Sequence, residues 1–165
     1  MEHLWTPWRS TYIKAEKQKD RCIFCDAIAS SDDEKNLVVR RGTHSFVILN
    51  RYPYTSGHLM IAPYAHVSRL NDAPMQAVDE VMTLTRQSEI VLEQAYRPDG
   101  INLGMNLGRA AGAGIAEHIH MHVLPRWTGD ANFMTSVADT RIIPEALEET
   151  YSKLKQGFDK VGPGY

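Results

Sequence analysis

The sequence predicts a single α+β domain, with an antiparallel sheet of about five strands, one long helix and a C-terminal helix. Three observations support this fold class. Short β-rich segments are separated by turns that contain glycine or proline, one long segment has apolar residues at helical spacing, and a shorter helical segment lies near the C-terminus. Because 165 residues can bury a sizeable core, we assign residues 22–165 to this one domain.

The first three strands are predicted close together along the chain. Segments 37–41 and 44–50 are rich in β-branched and aromatic residues and flank a short Gly42-Thr43 turn, so they predict a hairpin. Pro53, Ser56 and Gly57 then interrupt the pattern. Segment 58–62 is predicted as a third strand that ends at Pro63.

A long helix is predicted from Met75 to about Tyr96. Asn71 or Asp72 is a candidate N-terminal cap, Pro74 suits the first turn, and the Pro98-Asp-Gly100 segment ends the helix.

Two more strands and a final helix complete the predicted domain. Segments 101–105 and 117–125 are predicted strands on either side of the glycine-rich loop 108–114, and the final helix is predicted from Pro144 to about Gly157.

Composition excludes several classes of protein. A net charge of −2 argues against a protein that grips long nucleic acid through its phosphates. No apolar run approaches the roughly 20 residues that cross a bilayer, and the N-terminus lacks the features of a signal peptide, so we expect a cytoplasmic protein that does not bind membranes. Residues 1–21 carry Trp5, Trp8 and Tyr12, which predicts an N-terminal aromatic arm that packs on a protein surface.

The strongest chemical signal is the alternation of His118, His120 and His122. In an extended strand these side chains share one face and are spaced roughly 7 Å apart. Three interpretations are open: a histidine-rich face without a role, a three-histidine catalytic zinc site, and nucleophilic catalysis by the middle histidine. Because three rings on one flat strand do not readily converge on one ion, we favour the nucleophile.

The segment His118-Ile-His-Met-His-Val-Leu124 resembles the motif of the histidine-triad superfamily, in which histidines alternate with apolar residues. The resemblance extends through the Asn106-Leu-Gly108 segment and loop, and through the segment from Leu49 to His58. It implies the histidine-triad fold, His120 as nucleophile and His122 as the residue that handles the leaving group or the acceptor. It also implies that Asn50 contacts the ribose and that Asn106 and the loop backbone hold the phosphate. The backbone carbonyl of His118 is expected to hold the proton on the far nitrogen of His120.

The loop 108–114 offers backbone N–H groups with few side chains in the way, which suits an anion, although glycine richness alone also fits a plain turn. We assign Gly112, Gly114 and Ile115 to the phosphate site. Many members of the superfamily carry a glutamine here, and this loop has none. Phe24 and Leu49 are candidates for a base pocket or for simple core.

The loop, the Leu4-Trp-Thr-Pro-Trp-Arg9 segment and the segment from Pro125 to Phe133 resemble the bacterial diadenosine tetraphosphate phosphorylases within this superfamily. That resemblance implies cleavage by inorganic phosphate to ADP and ATP through a nucleotidyl-histidine, and a homodimer or larger homo-oligomer. The alternatives are a hydrolase that uses water on dinucleoside polyphosphates or phosphoramidates, a zinc-dependent hydrolase, and a nucleotide-binding sensor with negligible turnover.

Cys22 and Cys25 have the two-residue spacing of a zinc clip, while a redox pair and an inert buried pair remain alternatives. Resemblance to zinc-bearing members implies that His66 and His118 complete a structural site. Among the other histidines, His58 is interpreted as a hydrogen-bonded structural residue, and His3 and His44 as surface residues. Trp127 is expected to close over a ligand or to pack at an interface.

Overall fold

The structure, a computed structural model, describes residues 21–130 and 145–162. The predicted aromatic arm lies outside the described residues except for Arg21. Within the described ranges no helix is both long and apolar enough to pass through a bilayer.

The sheet has five strands that all pair antiparallel. Their spatial order is β1-β2-β3-β5-β4, so the last strand in sequence lies between the third and the fourth. This confirms the predicted antiparallel sheet of five strands. The strands are β1 (Val38–Arg41), β2 (Ser45–Leu49), β3 (Leu59–Pro63), β4 (Gly100–Met105) and β5 (Met121–Arg126).

Within residues 21–130 and 145–162, four α-helices accompany the sheet, and the long helix and the C-terminal helix are the two that were predicted. The helices are α1 (Ile23–Ala29), α2 (Asp33–Asn36), α3 (Met75–Tyr96) and α4 (Leu147–Val161). Two short 3₁₀ turns lie at Leu70–Asp72 and Arg109–Ala111. The short helices α1 and α2 were not predicted, because seven and four residues are too few to show a helical period.

The two faces of the sheet are covered by different elements. The Ser45 hydroxyl donates to the Ala77 carbonyl of α3 at 3.2 Å, which places Ser45 and the residues that alternate with it on the face covered by α3. On the opposite face, Phe46 packs edge-on against Phe24 of α1, with ring centroids 6.4 Å apart. Every residue of β2 and β3 is buried, because both faces of these strands are covered.

Three predicted boundaries, one in the last strand and two in the final helix, are wrong by more than two residues. The last strand begins at Met121 rather than at residue 117, because the Ile119 N–H donates to the Val67 carbonyl at 2.9 Å, outside the strand ladder. His118 and His120 therefore precede β5, and only His122 lies within it. The final helix begins at Leu147 rather than Pro144, because Ala146 has an extended backbone, and it continues past Gly157 to Val161.

Candidate active site

The three histidine rings lie in one row, and α1 covers the first two of them. The buried Phe24 ring contacts the His118 ring at 5.1 Å and the His120 ring at 4.9 Å between centroids. The His120 and His122 ring centroids are 4.8 Å apart and nearly perpendicular. This is closer than the spacing of roughly 7 Å expected along a strand, and His120 lies just before β5 rather than within it. The sequence prediction that the three imidazoles share one side agrees with this geometry.

His120 has one ring nitrogen engaged by the backbone and one directed away from it. Its Nδ1 lies 2.9 Å from the His118 carbonyl, which can only accept, so Nδ1 carries the proton. Nε2 is then the nitrogen with the lone pair, as the sequence led us to expect. Burial lowers the pKa of His120, which keeps the ring neutral and nucleophilic near neutral pH.

His58 is a site residue that sequence reasoning assigned only a structural role. It is 1% exposed, and its Nε2 lies 2.9 Å from Nδ1 of His122. The Tyr54 N–H donates to Nδ1 of His58 at 3.2 Å, so the proton of His58 resides on Nε2 and is donated to His122. His122 consequently carries its own proton on Nε2.

Burial is the main cause of the low pKa values in this pair. Desolvation, followed by the nearby His122 and His120, lowers the pKa of His58 to about 3. Desolvation, followed by His120, lowers the pKa of His122 to about 4. Both rings are therefore neutral at pH 7, and His122 presents an N–H donor.

Position in the sheet is the signal that could have revealed His58. Leu59 pairs with Val123 and Met60 with His122, so the residue at the start of β3 lies beside the histidine strand. Without knowledge of this strand pairing, the sequence does not indicate that His58 lies next to His122.

Asn50 and Tyr54 support the His58–His122 pair. The Asn50 side chain accepts from the Tyr52 N–H at 2.9 Å and lies 3.2 Å from Nδ1 of His58. The Tyr54 ring lies tilted over His58 at 4.7 Å and stacks against His122 at 6.1 Å between centroids. The turn between β2 and β3 therefore fixes the orientation of both histidines.

The glycine-rich loop approaches the same row of rings through β4. Met105 pairs with Met121, so Asn106 leaves the sheet next to the chain that carries His120. The Asn106 amide donates weakly to the Gly112 carbonyl at 3.5 Å. Gly108 and Gly112 have φ of +88° and +91°, a conformation that side chains rarely adopt, which explains glycine at both positions.

A second cluster lies at the other end of the row. Cys22, Cys25, His66 and His118 each bring one ligand atom into a group whose members are all within 4.8 Å of one another. Nδ1 of His118 is 3.3 Å from Sγ of Cys22 and 3.7 Å from Sγ of Cys25, and Nδ1 of His66 is 3.3 Å from Sγ of Cys25. These four residues could hold a metal ion.

The donor set fits a tetrahedral zinc ion. Zinc distances of about 2.3 Å to sulfur and about 2.0 Å to nitrogen separate such ligands by about 3.5 Å, close to the distances found. Nε2 of His118 lies 2.8 Å from the Pro63 carbonyl, so its proton resides there and Nδ1 is free to bind the ion. Desolvation, followed by Cys22, raises the pKa of Cys25 to about 11, so a cation is needed to hold the Cys25 sulfur as a thiolate.

Comparison with known proteins matches residues 32–129 to the HIT domain, which covers more than half of the chain. The chain belongs to the HIT, or histidine-triad, family. Residues 118–124 of this HIT domain carry the alternating histidines described above.

Relatives of this HIT protein include an enzyme and a zinc protein. The AP-4-A phosphorylase of Mycobacterium tuberculosis is 41% identical over 157 residues, which cover 91% of this chain and 80% of the relative. A Zn-bound histidine-triad family protein from Mycobacterium smegmatis aligns with a TM-score of 0.68 at 26% identity, covering 85% of this chain and 94% of that chain. A uridylyltransferase mutant shares only the fold, with a TM-score of 0.70 at 16% identity over 93% of this chain and 52% of that chain.

The HIT fold brings most of the predicted site residues together, but not all of them. Leu49 is 2% exposed and lies on the face covered by α3, opposite His122, so it is not brought to the histidines. Phe24 is fully buried, and its ring packs against His120. Ile115 is partly buried and packs against the core. Trp127 packs edge-on against Tyr96 at 6.2 Å, at the end of α3.

Proposed function

We propose that this HIT protein is a nucleotidyl transferase that cleaves diadenosine tetraphosphate with inorganic phosphate to give ADP and ATP. The observation that carries the proposal is the hydrogen bond of Nδ1 of His120 to the His118 carbonyl, which leaves Nε2 as a nucleophile. The likeness to the mycobacterial AP-4-A phosphorylase, at 41% identity, supports the choice of substrate and acceptor.

The first half-reaction transfers AMP to the protein. Nε2 of His120 attacks the α-phosphorus, a nitrogen–phosphorus bond forms, and the bond from phosphorus to the bridging oxygen breaks. The bonding electrons leave with that oxygen on ATP. The Asn106 amide and the backbone N–H groups of loop 108–114 that do not donate within the loop would offset charge on the non-bridging oxygens, whereas the N–H groups of Ala111, Gly112 and Ala113 donate to loop carbonyls.

His122 is the donor for the leaving oxygen. His58 donates to its Nδ1, so Nε2–H of His122 is free to donate to the bridging oxygen as its charge develops. A bound polyphosphate brings several negative charges close to both rings and raises their pKa values toward neutrality. The substrate thereby strengthens the donor that its own cleavage requires.

The second half-reaction returns the nucleotide to solution. An oxygen of inorganic phosphate attacks the same phosphorus, the nitrogen–phosphorus bond breaks, and ADP is released with His120 again neutral. Because each half-reaction inverts the phosphorus, the overall configuration is retained.

In this proposal the metal cluster has a structural role. Cys22, Cys25, His66 and His118 would hold a zinc ion with four protein ligands, and such a closed site stabilises the fold without generating hydroxide. His118 would link that site to the nucleophile, because its carbonyl orients His120. The zinc-bound relative supports the identity of the ion.

Product analysis tests the proposed function. Purified protein is incubated with diadenosine tetraphosphate, with and without inorganic phosphate, and the nucleotides are separated by chromatography. We expect ADP and ATP in equal amounts that depend on phosphate. AMP and ATP in both samples would show that water is the acceptor, and no turnover in either would favour a nucleotide sensor.

A further inference from the structure

His122 lies on β5 between β3 and β4, and its neighbours on these two sides differ in size. On the β3 side the Tyr54 ring stacks against it and His58 binds its Nδ1. On the β4 side the directly paired residue is Gly104. Paired residues on neighbouring strands project to the same face with their Cβ atoms about 5 Å apart, so any side chain at 104 would stand beside His122.

Glycine at 104 leaves that position open. A Cβ built on Gly104 would meet no heavy atom of the described residues within 4 Å, and Gly104 itself is exposed. Its φ lies outside the left-handed region, so backbone conformation does not explain why this strand position has a glycine. A glycine in a strand interior weakens the strand and often marks a site of close approach by a ligand.

We propose that Gly104 is a specificity-determining residue that leaves room for the large leaving nucleotide beside His122. This inference rests on the proposed function, because it assumes that a leaving group departs from a phosphorus bound at His120. With His120 on one flank of His122 and Tyr54 on another, the gap at Gly104 is where a leaving group can extend over β4. A small leaving group would not need this gap, whereas a nucleoside polyphosphate would.

The proposed chemistry supplies two reactions that differ in the size of this group. Phosphorolysis of diadenosine tetraphosphate expels ATP. In the exchange of labelled inorganic phosphate into ADP, the second half-reaction runs in both directions. The leaving group and the attacking group are therefore both inorganic phosphate. Both reactions use the same nucleophile and transfer the same adenylyl group. They differ in the size of the leaving group that must pass Gly104, which is ATP in phosphorolysis and phosphate in the exchange.

The chain also offers a matched control on the same strand and face. Gly100 lies four residues before Gly104 in β4, and a Cβ there also meets nothing within 4 Å among the described residues. Gly100 pairs with Arg126 rather than with His122. Valine favours strands, so neither replacement is expected to disturb the fold.

The test measures kcat/KM for both reactions in wild type, Gly104→Ala, Gly104→Val and Gly100→Val, with the mass of each variant checked in solution. We expect Gly104→Val to lose at least about tenfold in phosphorolysis and less than about threefold in exchange, with Gly104→Ala in between and Gly100→Val close to wild type. Equal losses in both reactions, or no loss in either, would overturn the role of Gly104. Wild type that catalyses neither reaction would instead overturn the proposed function.

Discussion

At the scale of single residues, the site depends on which nitrogen of each histidine carries its proton. The His118 carbonyl fixes this for His120, and the Tyr54 N–H fixes it for His58 and through it for His122. Three neutral rings with defined tautomers thus result from backbone groups rather than from charged partners. His58 is accordingly a positioning residue that acts through His122.

Replacing His58 tests this arrangement through the dependence of stability on pH. The pKa values of His58 and His122 are about 3 and about 4 in the folded protein, below the ordinary value of 6.5. Between pH 6.5 and pH 4 the unfolded chain therefore binds more protons, and stability is lost as the pH falls. We expect His58→Gln to reduce this slope between pH 6 and pH 5 by about 1 kcal/mol per pH unit, measured by urea unfolding.

The exposed His44 provides the control for this experiment. His44→Gln is expected to keep the wild-type slope. A His58→Gln slope equal to that of wild type would show that His58 already takes up a proton in the folded state, which contradicts its assignment as a neutral donor.

The sequence predicted which chemistry the residues could perform better than it predicted which residues contact each other. Alternation in the sequence predicts that His118, His120 and His122 share one side, and the spacing of Cys22 and Cys25 indicates a metal clip, in agreement with the structure. The contact of His58 with His122 was missed, because it depends on β5 lying beside β3 although 64 residues separate the two histidines. For Leu49 the sequence left a base pocket and the core as alternatives, and the alternation of β2 turns it toward α3 among the core residues.

At the scale of elements, α3 and α4 pack so closely that one glycine is required between them. A Cβ added at Gly157 would lie 2.6 Å from Cγ1 of Val91, closer than two carbon atoms can approach. The sequence prediction ended the helix near this glycine. The structure instead uses Gly157 inside α4 for close contact.

Gly157→Ala is therefore expected to destabilise the protein. In an ordinary helix interior this change stabilises by about 0.5–1 kcal/mol, whereas here the overlap with Val91 should cost about 1–3 kcal/mol. Urea unfolding measures the difference, with the exposed neighbour Gln156→Ala as control. A more stable Gly157→Ala variant would show that the two helices are not in close contact at this point.

The metal cluster joins α1 to the chain that enters β5, and its contribution to stability can be measured. We expect about one zinc ion per chain by elemental analysis, and loss of that zinc in His66→Ala together with a lower melting temperature. The exposed His44→Ala is expected to retain zinc. Equal zinc content in both variants would exclude His66 from the site.

At the scale of the whole molecule, β4 is an edge strand that carries an exposed apolar side chain, and α3 carries two more. Leu103 and Met82 are each 50% exposed, and Met75 is 67% exposed. Exposed apolar side chains beside an unpaired strand edge are typical of a contact with another chain. We propose that this surface forms the homodimer that the sequence resemblance implies.

Light scattering after size-exclusion chromatography tests the proposed dimer. Wild type is expected to elute with twice the chain mass of 18.6 kDa. Leu103→Glu should shift it toward the monomer, because the interface would then bury a charge. Glu149→Lys on the exposed surface of α4 is the control and should not change the mass. A wild-type monomer, or a Leu103→Glu variant that stays dimeric, would contradict the assignment of this surface.

The central claim is that Nε2 of His120 forms a covalent bond to phosphorus. Its most direct test is mass spectrometry of the intact protein and its peptides after brief mixing with diadenosine tetraphosphate in phosphate-free buffer. The account predicts one AMP per chain on the peptide that contains His120, removed as ADP when phosphate is added and absent in His120→Ala. Adenylylation elsewhere, or turnover by His120→Ala at a rate near that of wild type, would contradict it.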